Sequence, residues 1–169
     1  AKKADLTDAE LEFLGFGTMN GKDGKPYKTR EGGVMKLEDL LSTAKQAAKE
    51  KLEESAYLKE ASDEEKEKTA AAVGIAAVKF GDLINQRTKN YIFDLDKFLA
   101  FEGKTGTYIL YTVTRINSIL KKSGLSLDGE ISPVTLYSES ERALALKIML
   151  AGEAFTVALR EKAPNYICD

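Results

Sequence analysis

Apolar side chains recur every three to four residues along most of the chain after residue 36, a spacing that places them on one face of an α-helix. The first such stretch predicts an amphipathic helix with lysines and glutamates on its opposite side. Its apolar positions are Leu37, Leu40, Leu41, Ala44, Ala47, Ala48 and Leu52. We interpret the charged side chains between 45 and 68 as solvated helix surface with pairs at i,i+4 spacing.

A second helix is predicted to begin at the capping-box pattern Ser62-Asp-Glu-Glu65 and to run to about Asn85. Residues 70–80 are small and apolar nearly all round, which predicts burial on several sides. Gly74 and Gly81 each cost about 1 kcal/mol relative to alanine inside a helix. We therefore interpret them as points of close helix packing, with a role in chemistry as the alternative.

Two more long helices are predicted in the second half of the chain, on either side of a linker at 125–136. The first spans about 107–122, and its stripe predicted to be buried consists of Ile109, Val113, Ile116 and Leu120. The second opens at another capping box, Ser138-Glu-Ser-Glu141, and continues through Lys162. Its apolar side consists of Leu144, Ile148, Ala151, Phe155 and Leu159.

A second stripe of the 107–122 helix brings Tyr108, Tyr111, Arg115 and Lys122 near one another. Tyrosines stack on unpaired bases and arginine pairs with phosphate, so this stripe is a candidate RNA surface. The alternative is ordinary amphipathic packing, with the tyrosine hydroxyl groups reaching water. The sequence leaves both interpretations open.

Residues 20–33 interrupt the helical pattern with four glycines, one proline, four cations and almost no apolar side chain. A mobile cationic loop of this composition suits a polyphosphate ligand. The alternative is the tip of a β-hairpin, with strands at 14–19 and 33–35 and Asn-Gly and Asp-Gly turn dipeptides between them. On that second interpretation the cations, Lys22 among them, are simply solvated.

These patterns predict a mainly α fold, a helical bundle preceded by a short β-hairpin. A net charge of −2 argues against a protein whose whole surface binds nucleic acid and leaves only local basic patches. No apolar run reaches membrane-spanning length and no signal-peptide core is present, so we expect a cytoplasmic protein without membrane contact. Cys168 is the sole cysteine, which excludes an internal disulfide, and no metal site is predicted.

The loop sequence Tyr27-Lys-Thr-Arg-Glu-Gly-Gly33 resembles the mobile signature loop of arginyl-tRNA synthetases, which takes the form Phe/Tyr-Lys-Thr-Arg-x-Gly-Gly. Most other class I synthetases have Lys-Met-Ser-Lys-Ser there. Three further blocks, at 74–83, 85–96 and 100–116, are similar to consecutive family segments in the right order. Three ordered blocks are far more specific than one loop.

The resemblance implies a parent enzyme that activates L-arginine with ATP and transfers the arginine to tRNA(Arg). The ATP would bind together with Mg²⁺. Lys28 and Arg30, with Thr29 donating a hydrogen bond and Lys25 assisting, would neutralise charge developing on the triphosphate. Which cation faces which phosphate stays open. No tightly bound cofactor is expected in the chain itself, and the parent is expected to be monomeric.

The resemblance also implies that residues 85–94 form a connection beneath the active site, where Arg87 and Lys89 could reach the tRNA acceptor arm. The alternative for Arg87 is a hydrogen bond to carbonyl groups at a helix C-terminus. A short helix capped by residues 93–96 is predicted to follow and to run through Phe101. Gly-Lys-Thr at 103–105 superficially resembles a phosphate-binding loop but lacks the preceding glycine and strand, so we predict no such role.

The chain contains no histidine, whereas class I synthetases use a His-x-Gly-His motif. We therefore expect an excised fragment without aminoacylation activity. Residues 1–122 would be the end of the catalytic domain and 123–169 the start of the helical anticodon-binding domain. Two alternatives stay open: a helical RNA-binding module without a catalytic role, and a structural interaction domain.

Overall fold

The computed structural model describes residues 11–26, 36–54, 58, 61–124 and 133–169. In these residues six helices and two very short strands follow one another along the chain, so the prediction of a mainly α fold is confirmed. The elements are β1 (Met19–Asn20), α1 (Leu37–Glu54), α2 (Asp63–Leu83), β2 (Tyr91–Ile92), α3 (Leu95–Phe98), α4 (Gly106–Ser123), α5 (Glu139–Glu161) and α6 (Asn165–Cys168).

The core lies between α1, α2 and the segment around α3. Its buried side chains are mostly small, and partly buried Leu95, Phe98 and Phe101 pack against them. The buried set is Ala48, Leu52, Ala70, Val73, Ala77 and Leu99. Ser62 caps α2 as the sequence predicts, since its hydroxyl accepts from the Glu65 amide while the Glu65 carboxylate accepts from the Ser62 amide.

Gly74 and Gly81 are confirmed as points of close packing. A Cβ atom on Gly74 would lie 2.8 Å from the Lys45 backbone nitrogen, and one on Gly81 would lie 2.4 Å from the Phe98 ring. Both distances are shorter than any ordinary carbon contact, so α1 and the Phe98 ring reach α2 because these positions carry no side chain.

The predicted hairpin is present as a turn, and its first strand is shorter than predicted. Within the predicted strand 14–19 the structure forms a strand only from Met19, and β1 pairs in parallel with β2, Met19 opposite Tyr91 and Asn20 opposite Ile92. A single antiparallel bridge joins Asn20 and Pro26. The predicted partner strand at 33–35 lies outside the described residues.

The short helix α3 ends at Phe98, three residues before its predicted end. Asp94 occupies the N-cap position, but within the described part of the chain its side chain accepts no capping hydrogen bond. The carboxylate faces the Lys22 ammonium, at 3.7 Å.

The predicted burial of the α4 stripe is wrong for the described structure. Ile109, Val113 and Ile116 are about half exposed, because α4 packs on α2 through its first turn, where Gly106 and Thr107 are buried. A Cβ on Gly106 would lie 2.3 Å from the Ala76 carbonyl oxygen, which shows how closely that first turn approaches.

The capping box at the start of α5 is confirmed, because the Ser138 hydroxyl accepts from the Glu141 amide and the Glu141 carboxylate accepts from the Ser138 amide. Large apolar side chains of α5 are exposed, whereas its last turns bury Ala158. The helix ends at Glu161, and its C-cap residue Lys162 adopts a left-handed conformation with φ of 51°. Pro164 is the N-cap residue of α6.

Candidate functional site

The predicted catalytic residues Lys28, Thr29 and Arg30 lie outside the described residues, and Lys25 is described at the end of the turn that leads to them. This turn is closed by hydrogen bonds from the Gly21 amide to the Lys25 carbonyl and from the Gly24 amide to the Gly21 carbonyl, both 2.9 Å. The Asp23 carboxylate accepts from the Lys25 amide at 3.1 Å. Gly24 has a φ of 75°, which glycine adopts without strain. The base of the loop is therefore an ordered turn.

The strand that carries this turn is held against residues 87–93 by a ladder of hydrogen bonds. The Gly17 amide donates to the Arg87 carbonyl at 2.8 Å, and the Phe93 amide donates to the Asn20 carbonyl at 2.8 Å. Between them the Thr18 amide donates to the side-chain oxygen of Asn90 at 2.8 Å. Segments far apart in sequence thus fix where the loop begins.

Lys22 at the tip of the turn is largely exposed to solvent, and it also forms ion pairs with two carboxylates. Its ammonium group lies 3.1 Å from the Asp96 carboxylate and 3.7 Å from that of Asp94. These contacts raise the pKa of Lys22, chiefly through the hydrogen bond to Asp96. Lys51 on α1 donates to the Asp96 carbonyl oxygen at 3.2 Å. The start of α3 therefore meets both the turn and α1.

Arg87 donates hydrogen bonds to two backbone carbonyl groups. Its Nε lies 3.2 Å from the Lys162 carbonyl oxygen at the C-terminus of α5, and its Nη1 bonds the Gly15 carbonyl oxygen. This geometry favours the carbonyl interpretation of Arg87, while contact with tRNA stays a prediction. Lys162 also pairs with Glu12. Arg87 and Lys162 together fasten the end of α5 to the extended N-terminal segment.

A cleft of about 430 Å³ opens beside Arg87, between the N-terminal segment, the end of α2 and Pro164. Its wall includes the exposed ring of Phe16 and the pair formed by Asp82 and Tyr91. The Tyr91 hydroxyl donates to the Asp82 carboxylate at 2.6 Å, and burial together with this contact raises the pKa of Tyr91. Neither residue of this pair is indicated by any local sequence pattern.

The candidate RNA surface on α4 is partly accessible. Tyr108 is 44% exposed and Arg115 is exposed, whereas Tyr111 is half-buried. Arg115 Nη1 donates to the Tyr111 hydroxyl oxygen at 3.1 Å, which holds the guanidinium beside the phenol ring. The structure thus brings together the two side chains that the helical spacing placed one turn apart.

The Gly-Lys-Thr sequence at 103–105 immediately precedes α4, and Thr105 is the N-cap residue of that helix. The Thr105 hydroxyl accepts from the Tyr108 amide at 3.0 Å and donates to the Ala100 carbonyl at 2.6 Å. Lys104 forms an ion pair with Asp169 at 2.6 Å. The lysine and the threonine are both used in structural contacts.

Two features are absent from the part of the chain that the structure describes. No group of three or more histidine, cysteine, aspartate or glutamate side chains is arranged there to hold a metal ion. No helix among the same residues has the length and apolar character needed to cross a membrane.

Comparison with known families divides the chain into two matched regions. Residues 1–95 match the family model of tRNA synthetases class I (R), catalytic domain. Residues 109–169 match the DALR anticodon binding domain. The first region contains the turn, α1, α2 and the start of α3, and the second contains most of α4 together with α5 and α6.

Similar proteins share one description. The arginine–tRNA ligases of Alkaliphilus oremlandii and Maricaulis maris are 49% and 42% identical over 175 and 172 aligned residues that cover 100% of this chain. The chain spans 29% of the length of each. Among solved structures, Thermus thermophilus arginyl-tRNA synthetase is similar at a TM-score of 0.73 and 28% identity, over 90% of this chain and 24% of that one. Since the catalytic-domain model matches more than half of the sequence, the chain belongs to the arginyl-tRNA synthetase family of class I tRNA synthetases.

Proposed function

We propose that the protein to which this chain belongs joins L-arginine to tRNA(Arg) at the expense of ATP. The observation that carries the proposal is identity of 40–49% to arginine–tRNA ligases over nearly the whole chain. A helical module without a catalytic role is a poorer account, because residues 1–95 match the catalytic domain of the family. The chain would contribute the signature loop and the beginning of the anticodon-binding part.

In this proposal Lys28 and Arg30 stabilise the negative charge that develops on the triphosphate as the arginine carboxylate attacks the α-phosphorus. Thr29 donates a hydrogen bond, and Lys25 assists from the end of the ordered turn. Lysine and arginine suit this task because charge-assisted hydrogen bonds to phosphate oxygens are strong. Mg²⁺ would arrive with the nucleotide. The contribution is electrostatic, and these residues form no covalent intermediate.

The tRNA would be contacted by the exposed face of α4. Tyr108 offers a ring for stacking, and Arg115, held beside Tyr111, offers a guanidinium for phosphate. Arg87 would touch the acceptor arm only with donors not committed to the Gly15 and Lys162 carbonyls. We also propose that the parent protein is cytoplasmic and monomeric. The boundary between its catalytic and anticodon-binding domains would lie near residue 122.

The experiment is arginine-dependent exchange between ATP and pyrophosphate, measured on the full-length protein and on this chain alone. We expect exchange from the full-length protein and none from residues 1–169, which contain no histidine and hence no His-x-Gly-His motif. A full-length protein that activates a different amino acid, or none, would overturn the proposal.

The same assay tests the loop residues. Lys28→Ala and Arg30→Ala should each lower the exchange rate by roughly 10²–10³ while changing ATP binding much less, because a preorganised charge acts mainly in the transition state. Lys97→Ala on α3 is the matched control, since this exposed lysine forms no ion pair with the described residues. Small and equal effects on the exchange rate at all three positions would support the alternative interpretation, in which the loop cations are solvated hairpin charges.

A further inference from the structure

Lys22 precedes the Tyr27–Gly33 motif and has no place in it, yet it makes the most elaborate ion-pair contact of the turn. Its ammonium group reaches Asp94 and Asp96, more than 70 residues away in sequence. The Asp94 side chain is mostly buried, and its Oδ1 has no hydrogen-bond partner in the described part of the chain. Lys22 is therefore the group that balances this carboxylate.

Asp96 also connects the turn to the helix that follows the loop. Its carboxylate accepts from Lys22, while its backbone carbonyl accepts from Lys51 on α1 at 3.2 Å. The loop motif lies between the turn and α1 in sequence. One short helix, α3, thus contacts the element before the motif and the element after it.

We propose that Lys22 is a positioning residue for the ATP-dependent step: by pairing with Asp94 and Asp96 it fixes the turn at 21–26, which in sequence leads directly into the Tyr27–Gly33 motif. This inference rests on the proposed function. Lys22 acts through α3 and does not contact the phosphates itself.

The chemistry of the pair separates this role from direct phosphate binding. A lysine whose ammonium is engaged by two carboxylates presents little free positive charge to a third anion. An aspartate repels phosphate, so removing the Asp96 charge would raise or leave unchanged a rate that depended on attraction alone. If Asp96 instead holds Lys22 in place, removing its charge lowers the rate. The two accounts therefore predict opposite effects for Asp96→Asn.

The experiment compares Lys22→Met, Lys22→Arg, Asp96→Asn and the double variant Lys22→Met/Asp96→Asn in the full-length protein, by arginine-dependent exchange and by thermal unfolding. We expect Lys22→Met to lower kcat by roughly 10-fold, because misplacement of a charge by about 1 Å costs up to ~10²-fold. Lys22→Arg should retain most activity. Asp96→Asn should lower kcat in the same direction, and the double variant should be no slower than Lys22→Met, since both changes break one contact.

Lys97→Met, also exposed on α3, is the control and should keep the wild-type rate. Melting temperatures of Asp96→Asn and Lys97→Met should stay close to wild type, because both side chains are exposed. Lys22→Met leaves the mostly buried Asp94 carboxylate without its cation and should melt lower, so its rate is measured well below its melting transition. A loss of kcat in Asp96→Asn that merely followed a loss of folding would overturn the proposal. So would an unchanged rate in Lys22→Met, or a double variant slowed by the product of the single effects. Absence of arginine-dependent exchange in the wild-type protein would instead refute the proposed function.

Discussion

The α1–α2 pair and the α4 and α5 helices have similar lengths, but they bury very different side chains. Between α1 and α2 the contact consists largely of alanine and glycine, and Ala44, Ala70 and Ala77 are fully buried. On α4 and α5 the large apolar residues are exposed, with Ile116 at 50% and Leu144 at 62%.

The difference teaches that the size of an apolar side chain and its burial are separate properties. Small residues let two backbones approach, and the approach itself excludes water. A stripe of large aliphatic residues identifies a helix face on which another element can pack. The periodicity does not say whether that element belongs to this chain. Stability of this chain should therefore depend on the core around α1 and α2, which includes Leu99, far more than on the large apolar stripes of α4 and α5.

The largest expected effect is from Leu99→Ala. Leu99 is 1% exposed and belongs to the core cluster with Leu52 and Val73. Truncation should lower the free energy of unfolding by roughly 2–5 kcal/mol, from lost apolar burial plus the cavity left behind. Ile116→Ala on α4 is the matched control and should change it by less than about 0.5 kcal/mol. Equal losses in urea unfolding would remove the distinction between the two regions.

The next largest effect is from glycine-to-alanine substitution at two helical positions. We expect the two changes in the free energy of unfolding to have opposite signs. At Gly74 a Cβ would meet the α1 backbone at 2.8 Å, so Gly74→Ala should destabilise by roughly 1–3 kcal/mol despite the better helix propensity of alanine. At Gly152 on α5 a Cβ meets nothing within 4 Å, so Gly152→Ala should stabilise by about 1 kcal/mol. The midpoints of urea unfolding test both signs, and a stabilised Gly74→Ala variant would contradict the close approach of α1.

Arg87, which follows α2, contacts the end of α5 through the Lys162 carbonyl. Replacing Arg87 tests how much this contact contributes to the free energy of unfolding. Lysine keeps the charge but lacks the planar fork that reaches the Gly15 and Lys162 carbonyls together. Arg87→Lys should therefore cost about 1 kcal/mol, the net value of a hydrogen bond that the variant leaves unmade. Arg142→Lys, an exposed change on α5, should cost nearly nothing. If the two variants unfold alike, Arg87 does not hold the end of α5.

Local features of the fold could be predicted from the sequence because their cause is local. Both capping boxes lie within four residues, so Ser62 with Glu65 and Ser138 with Glu141 identify the helix starts. The close packing at Gly74 could be predicted because glycine weakens a helix interior, and the absence of a side chain compensates where another backbone comes close.

Features that depend on distant residues could not be predicted. Lys22 and Asp96 are 74 positions apart, and no spacing rule connects them. The parallel pairing of β1 with β2 involves two residues on each side, too few to produce an alternating pattern. The exposure of Ile116 depends on which elements surround α4, and a helical repeat contains no information about them.

The smallest effect we expect is a pH dependence confined to the α1–α2 contact. Glu67 on α2 pairs with Lys45 at 2.6 Å and with Lys49, both on α1, and these hydrogen bonds lower its pKa from 4.5 to about 2. Above pH 4.5 the carboxylate is charged in the folded and the unfolded chain, so the stabilisation is fully present. As the pH falls from 4.5 toward 2 the unfolded chain takes up a proton first, and the stabilisation is lost progressively.

Glu67→Gln should flatten this part of the plot of unfolding free energy against pH, whereas Glu139→Gln on the exposed α5 should leave its slope unchanged. Because the lysines and Glu67 are accessible to water, the effect should also shrink as salt is added. A wild-type slope in Glu67→Gln would mean that the ion pairs of Glu67 with Lys45 and Lys49 do not contribute measurably to the stability of the α1–α2 contact.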